Sequence, residues 1–538
     1  MGTDESARLP AVNDRLYDWS DRMIERVRRV HFAAWLTLIA AVIFVLVFGS
    51  LGVQNHRNFG TWSYDMGIYD QGFWLVSRGE SFMTVRGMNF WGHHLNLIVL
   101  AFVPFYWLGA GPEFLYVAQA IFLAAAAIPT YLIARDKFRT PWMGLVFAIV
   151  YLMYAPVQWI SWAMFHPEAM VIAPFLFAWW FATKERWGWF FAMVVLALSM
   201  REDVALAVVM MGFVLMVYMR HAPDYRRVLR RCIGVVALGG LWYLVATKFF
   251  LVHFNDDKEP FYVTYFYGNY GKDAGEIVRT IIEHPNRVIS DAVQHDRLTF
   301  YKQLGWPLGW LPLANPLALL MALPQMLASV IGLSPYARMI KFQYTSVMIA
   351  PLMISAIHGG HTFWRFRSAK VLLPAWLLLC AYTTNVAWSP SPLGEDKNYL
   401  VWSQHHPRHD SLEAALAYIP DDAAVSASYQ LLPHLSHRRE IYDWPNPFWA
   451  SVWGNDDCDH LPDPTTIDYV ILDRMQIGAN NMTLYNAMVK DNGPFQIVFQ
   501  DDTVVVAKRV GTSEEVDVRP QASSCRILAL RHGAGGTG

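Results

Sequence analysis

Charge is what this sequence has little of. Asp, Glu, Lys and Arg make up 16% of its 538 residues, against about 25% in an average soluble domain, which excludes an ordinary soluble protein. Neither sign is in excess, since 43 Lys and Arg face 44 Asp and Glu. There is no basic tail and no aromatic signature for reading RNA, so nucleic acid is not an expected partner. No repeat recurs at a solenoid period. Cysteine is scarce, four residues in all. Apolar side chains are what is abundant: 54% of the chain, with 23 Trp, 25 Tyr and 32 Phe. They crowd into residues 33–388.

A bilayer core about 30 Å thick takes roughly 20 apolar residues per helix. The run from Phe32 to Val53 meets that without a charge and follows the basic segment RMIERVRRVH. It is longer than a signal-peptide core and has no small-residue cleavage site behind it, so it is expected to be a retained first helix with its amino terminus inside. Further runs lie at 94–109, 114–134, 141–160, 166–183, 187–200, 203–219, 231–253, 304–333, 341–357 and 370–388. The connectors RDKFR, TKERW, RHAPDYRRVLRR and FWRFRSAK concentrate basic residues, which places them in the cytoplasm. Loops 54–93 and 254–303 and the turns 161–168 and 200–203 then face outward. Two crossings between 93 and 135 would strand RDKFR outside. The Pro104-containing segment 94–109 is therefore expected to re-enter or lie in the outer interface, and the Pro-broken stretch 304–333 to form a hairpin or broken helix pair that leaves and returns on the outside, where irregular backbone can line a cavity.

The expected fold is an α-helical polytopic membrane protein of about nine to eleven spans with a carboxy-terminal extracytoplasmic α/β domain. Its divisions are a cytoplasmic segment 1–31, a transmembrane region 32–390, the external domain 391–510 and a flexible tail 511–538. Strand-like runs AAVSAS, TIDYVILD and FQIVFQDDTVVVAKR alternate there with the helical DSLEAALAYI, an α/β pattern. Cys232 and Cys380 fall in helices as small apolar groups. Cys458 and Cys525 fall in the external domain, where a disulfide is chemically open to them.

Ionisable groups at membrane depth are costly and by default functional. The outward turns gather a small set of them. Loop 54–93 carries Asp65 and Asp70 in SYDMGIYDQGFW, then His93 and His94 in WGHHLN. FHPEAM carries His166 and Glu168, and the next outer turn carries Arg201, Glu202 and Asp203. Plainer roles compete: Asp65 and Asp70, about 140° apart on a helix, as solvated or capping groups; the histidines as interfacial residues; Glu168 as a helix-start anion; and the 201–203 trio as a closed salt-bridge cluster. Tyr262, Tyr265, Tyr267 and Tyr270 give the 254–303 loop the look of a lid, or of an interfacial belt. Gln343 and Tyr344 are placed to line the cavity opposite the first loop.

The runs YDMGIYDQGFW, GHHLN, FHPEAM and REDVAL, with AYIPDDAAVSAS and LLPHLSHRREIYDWP later, resemble a family of bacterial multi-pass membrane proteins assigned to the GT-C superfamily of glycosyltransferases. The resemblance covers nearly the whole chain. It implies a polyprenyl-phosphate-linked sugar as donor, a glycan or glycolipid acceptor, the bacterial plasma membrane, and an acidic residue of the first external loop as base. That base is Asp65 or Asp70, with Asp65 favoured as the nearer to the first helix. Arg201, His93, His94 or His166 would stabilise the departing phosphate. Some superfamily members hold a divalent cation, and Asp70, His166, Glu168 and Asp203 are the candidate ligands for Mg, Mn or Ca. A transporter or lipid flippase, and a non-catalytic assembly protein, are the competing readings; the first calls for repeated halves, which the sequence lacks.

Overall fold

The computed structural model describes residues 30–255, 260, 262–395, 403–454, 461–491 and 493–510. The expected segment 1–31, apart from its last two residues, lies outside them, as do Cys458, Cys525 and the tail from 511. Among the described residues four helices are long and apolar enough to cross a bilayer: Phe32–Arg57, Pro112–Phe138, Tyr225–His253 and Ala369–Trp388. Pro141–Leu152 and Ala155–Trp162 make a fifth if taken as one span bent by 48°. Pro156 has no amide to donate to the carbonyl four residues back, so the helix breaks there.

Every expected apolar run contains helix, but nine to eleven full crossings are not reached by length. Pro167–Thr183, Trp187–Leu198, Val204–Tyr218 and Pro316–Ile331 are apolar helices of only 10–17 residues, because residues around them are spent on polar turns and proline breaks. Val99–Trp107, with Pro104 inside, has nine residues and is about 14 Å long, too short to cross. The 304–333 stretch divides into the short turns Trp306–Leu308, Leu311–Ala314 and Leu320–Ala322 and the helices Pro316–Leu319 and Leu323–Ile331. Ser346–Phe363 is buried along nearly its whole length. Gly359 lets Leu311–Ala314 press on it: a Cβ there would sit 2.0 Å from the Leu311 carbonyl oxygen.

The two ends of the bundle differ in chemistry. At one, Lys184 Nζ pairs with Asp136 Oδ2 at 2.8 Å, Lys137 Nζ reaches the Tyr218 hydroxyl at 3.3 Å, and Phe138 packs edge-on against Trp364. The basic connectors thus gather together. Helix Pro167–Thr183 runs from Lys184 at this end to His166 at the other, where the outer turns of the sequence reading converge.

The carboxy-terminal region folds into a mixed sheet that sits on this second end. A short hairpin in the first loop, β1 (Phe82–Met83) with β2 (Met88–Asn89), precedes it. The sheet proper comprises β3 (Val425–Ala427), β4 (Ile441–Asp443), β5 (Tyr469–Asp473), β6 (Phe495–Gln500) and β7 (Val504–Arg509), in the order β4-β3-β5-β7-β6. β4, β3 and β5 are parallel; β5, β7 and β6 are antiparallel. Side chains alternate across a strand, and both faces here are buried. Tyr469 and Ile471 join the core of the helices, while Val470 and Leu472 join a second cluster with Leu484 and Met488. Because one face continues the helical core, the sheet is built onto the bundle.

Candidate functional site

The first loop leaves helix Phe32–Arg57 and turns sharply at Ser63–Gly67. Tyr64 is extended, and Asp65 then adopts φ 71°, ψ −86°, close to a strained γ-turn that non-glycine residues avoid. Such strain persists only where neighbours over-determine it, and here the sheet supplies them. The Ser63 amide donates to the Tyr429 carbonyl at 2.8 Å. The Ser63 hydroxyl lies 2.5 Å from Asp443 Oδ1 and 3.1 Å from the Tyr429 carbonyl. Tyr429 and Asp443 stand at the carboxyl ends of β3 and β4, the edge where open α/β sheets characteristically act on ligands. Burial drives the Asp443 carboxyl up to about 7, against the hydrogen bonds from Ser63 and Tyr64 that favour its ionised form.

Asp65 faces His166, whose Nε2 lies 3.2 Å from Oδ1. His166 Nδ1 is 3.0 Å from the Met164 carbonyl, so that nitrogen donates, and a second donation from Nε2 requires the imidazolium. Burial opposes that charge, but the Asp65 carboxylate in contact and Glu168 nearby outweigh it and hold His166 above its ordinary pKa. The turn itself is fixed by Gln119, which accepts from the His166 amide at 2.9 Å and donates to the Ile160 carbonyl at 2.7 Å.

Arg201 is fully committed. Nε and Nη2 form a fork on Asp203 at 2.7 and 2.5 Å, and Nη1 contacts Glu168. Glu202 accepts from His94 Nδ1 at 2.8 Å, from the Leu95 amide at 3.0 Å and from the Tyr262 hydroxyl at 3.2 Å. Burial works against its charge, yet His94 and Arg201 hold its carboxyl below the usual range. Arg201, one of the four residues expected to face a departing phosphate, is here the cation that binds two carboxylates of the cavity wall.

Asp65, His93, His94, His166, Glu168, Arg201, Glu202, Asp203, Gln343 and Tyr344 all line one cavity of about 860 Å³, with Tyr262, Tyr265 and Tyr267. Tyr270 is not among them; its hydroxyl donates to Asp291 at 2.6 Å. Asp70 is not among them either. Fully buried, it accepts from Tyr106 at 2.7 Å, Ser436 at 2.6 Å and His437 Nε2 at 3.0 Å, so it latches the first loop to the carboxy-terminal segment. Its separation from the cavity breaks up the four candidate metal ligands, and Glu168 and Asp203 are held by Arg201. Among the described residues no group of three or more His, Cys, Asp or Glu is arranged to hold a metal.

The cavity has a second character. Away from Asp65 it is lined by Leu206, Leu244, Leu251, Ile277, Ile281 and Leu327. Leu244 and Val278 line it while remaining 56% and 55% exposed, so it opens sideways between the Tyr225–His253 span and helix Ala274–Glu283. Lys248 and Arg86 line it as well. Arg86 reaches the Val452 carbonyl, and the indole of Trp453 fills the space where Gly87 lacks a Cβ, 2.3 Å from the position a methyl would take. Arg86 and Trp453 were not singled out from sequence. Their contacts, Arg86 with Val452 and Trp453 with Gly87, join positions more than 360 apart, and the only local hint is the glycine in a hairpin loop.

A family model described as "Predicted membrane protein (DUF2079)" matches residues 55–506. Among curated proteins none matches the chain. ArnT from Cupriavidus metallidurans bound to undecaprenyl phosphate is similar in structure at 13% identity and TM-score 0.47, over 91% of this chain and 100% of that one. The same protein in the apo state gives 15% and 0.49, over 91% and 99%. The archaeal oligosaccharyltransferase AglB from Archaeoglobus fulgidus, in complex with an inhibitory peptide and a dolichol-phosphate, gives 11% and 0.41, over 90% and 76%. At these values the likenesses assign no residue a role.

Proposed function

The chain belongs to the DUF2079 family of predicted membrane proteins, and from that premise we propose that it is a membrane glycosyltransferase of the GT-C type. It moves a sugar from a polyprenyl-phosphate donor to a glycan or lipid acceptor on the extracytoplasmic side of a bacterial plasma membrane. The observation that carries the reading is the cavity itself: one strained carboxylate at its polar end, and an apolar arm that opens sideways where lipid would lie. A donor with a sugar phosphate head and a prenyl tail matches both halves.

Asp65 is the base. It takes the proton of the acceptor hydroxyl as that oxygen attacks the anomeric carbon. The bond from that carbon to the phosphate oxygen breaks, its electron pair leaves with the lipid phosphate, and the configuration inverts. His166, 3.2 Å from Asp65 Oδ1, orients the carboxylate for attack. Lys248 and Arg86, which line the same cavity, supply positive charge for the departing phosphate. The sheet end holds the turn that presents Asp65, so the carboxy-terminal region is part of the catalytic scaffold. With the amino terminus cytoplasmic, the basic end of the bundle faces the cytoplasm and the sheet faces outward. The test is turnover of short-chain polyprenyl-phosphate sugars by purified protein, in wild type and in Asp65→Asn and Asp70→Asn. Asp65→Asn should bind donor without transferring it. Asp70→Asn should lose thermal stability before it loses the chemical step.

A further inference from the structure

The sheet carries a second hollow, of about 370 Å³, next to the apolar cluster on its outer face. One wall is Trp449, half-buried and packed against that cluster. The turn bearing it is braced by Asn446, whose side chain accepts from the Ser451 amide at 2.9 Å and donates to the Ser451 carbonyl at 2.8 Å. The facing wall is Gly478, Asn480 and Asn481, ahead of helix Met482–Val489. Gly478 takes φ 77° with nothing within 4 Å of the position its Cβ would occupy, so that wall stays open. The side-chain amides of Asn480 and Asn481 bond to no described residue, leaving donors and acceptors of both kinds for a ligand.

Among the described residues no charged side chain lines this hollow. An indole beside neutral amides, with neither cation nor carboxylate, is poorly suited to a phosphate, a nucleotide or a charged peptide. It suits a neutral pyranose or furanose, which presents apolar C–H groups to an aromatic ring and hydroxyls to amides. The volume falls in the range of small-ligand sites, about 300–1,000 Å³. Ala450 lines this hollow and the large cavity alike, and Val452–Gly454 continue along the cavity wall.

We propose that this hollow binds a neutral glycan, a sugar unit of an acceptor chain whose reacting end lies in the large cavity. Binding of the sugar stands on the hollow alone; its service as the acceptor's outer subsite rests on the glycosyltransferase reading. The full-length protein in lipid nanodiscs is titrated with neutral tetrasaccharides of a hexose, a pentose and an N-acetylhexosamine, and with an uncharged tetrapeptide. One sugar class should bind, and the Asn480→Ala/Asn481→Ala variant should bind it about tenfold more weakly at an unchanged unfolding temperature. Trp449→Ala should do the same where it folds. Failure of all three sugars, sugar binding that survives the double substitution, or a peptide taking their place would overturn the proposal. A wild-type protein that binds the sugar yet consumes no polyprenyl-phosphate donor leaves the glycan site standing and removes the transferase reading.

Discussion

Arg201 stands between Glu168 and Asp203 with 8% of its side chain exposed. Removing one member of such a buried group leaves its partners charged and unpaired, which costs about 3–5 kcal/mol. Arg201→Met should therefore lower the unfolding temperature in detergent by many degrees, and adding Glu168→Gln should recover part of the loss. A small change with no recovery would mean that water reaches the cluster. Asp443 makes the opposite kind of prediction. Its carboxyl lies at about 7 in the folded protein against an ordinary 3.8. A raised carboxyl costs nothing below the unfolded value; the cost grows as pH climbs from 3.8 to about 7, and it is complete above that. Asp443→Asn keeps an acceptor for Ser63 and never ionises. It should be more stable than wild type at pH 8, with the difference shrinking towards pH 4, as thermal unfolding across that window would register.

Among the elements, Ser346–Phe363 is held by close backbone approach. Gly359→Ala would drive a methyl into the Leu311 carbonyl, which belongs to a turn and cannot swing aside. Overpacking of this kind costs about 1–3 kcal/mol, so the variant should unfold earlier while Gly240→Ala, with open space around it, should not. Helices and strands were legible in the sequence because burial writes its period locally. Each apolar run became helix, and TIDYVILD alternated between two cores as strand residues do. The outer turns were legible for the same reason: Asp65, His94, His166, Arg201 and Glu202 were the ionisable residues left between apolar runs. Asp70 was not separable from Asp65 by type or spacing. What separates them is Ser436 and His437, far along the chain, which bury one carboxylate and leave the other in the cavity. The γ-turn at Asp65 was invisible too, because no local residue demands it; the ends of β3 and β4 hold it in place. The number of crossings was legible only in part: four helices, or five with the bent pair, reach spanning length among the described residues, since prolines and polar turns consume residues that an apolar count assigns to helix.

For the whole molecule, the difference between the two ends of the bundle is the main consequence. One end collects Lys137, Lys184 and Asp136; the other collects the cavity, the first loop and the sheet. If the basic end faces the cytoplasm, a membrane-impermeant maleimide applied to intact cells should label Asn480→Cys and spare Glu185→Cys in a cysteine-free background. The reverse pattern would invert the orientation and detach the donor assignment from its side of the membrane. Because one face of the sheet continues the helical core, deleting the chain from residue 403 should yield an unstable membrane part, not an active enzyme missing an accessory. Folding of the truncated chain at wild-type stability would contradict that shared core. The central claim is that Asp65 removes the proton of an acceptor hydroxyl at the head of a lipid-fed cavity. The measurement that tests it most directly is sugar transfer from polyprenyl-phosphate donors by purified wild-type and Asp65→Asn protein, with donor binding measured on the same samples. The account predicts transfer by wild type, loss of it in Asp65→Asn, and equal donor affinity in both. Undiminished transfer by Asp65→Asn would contradict the assignment of the base, and the absence of both binding and transfer in wild type would contradict the reading of the cavity.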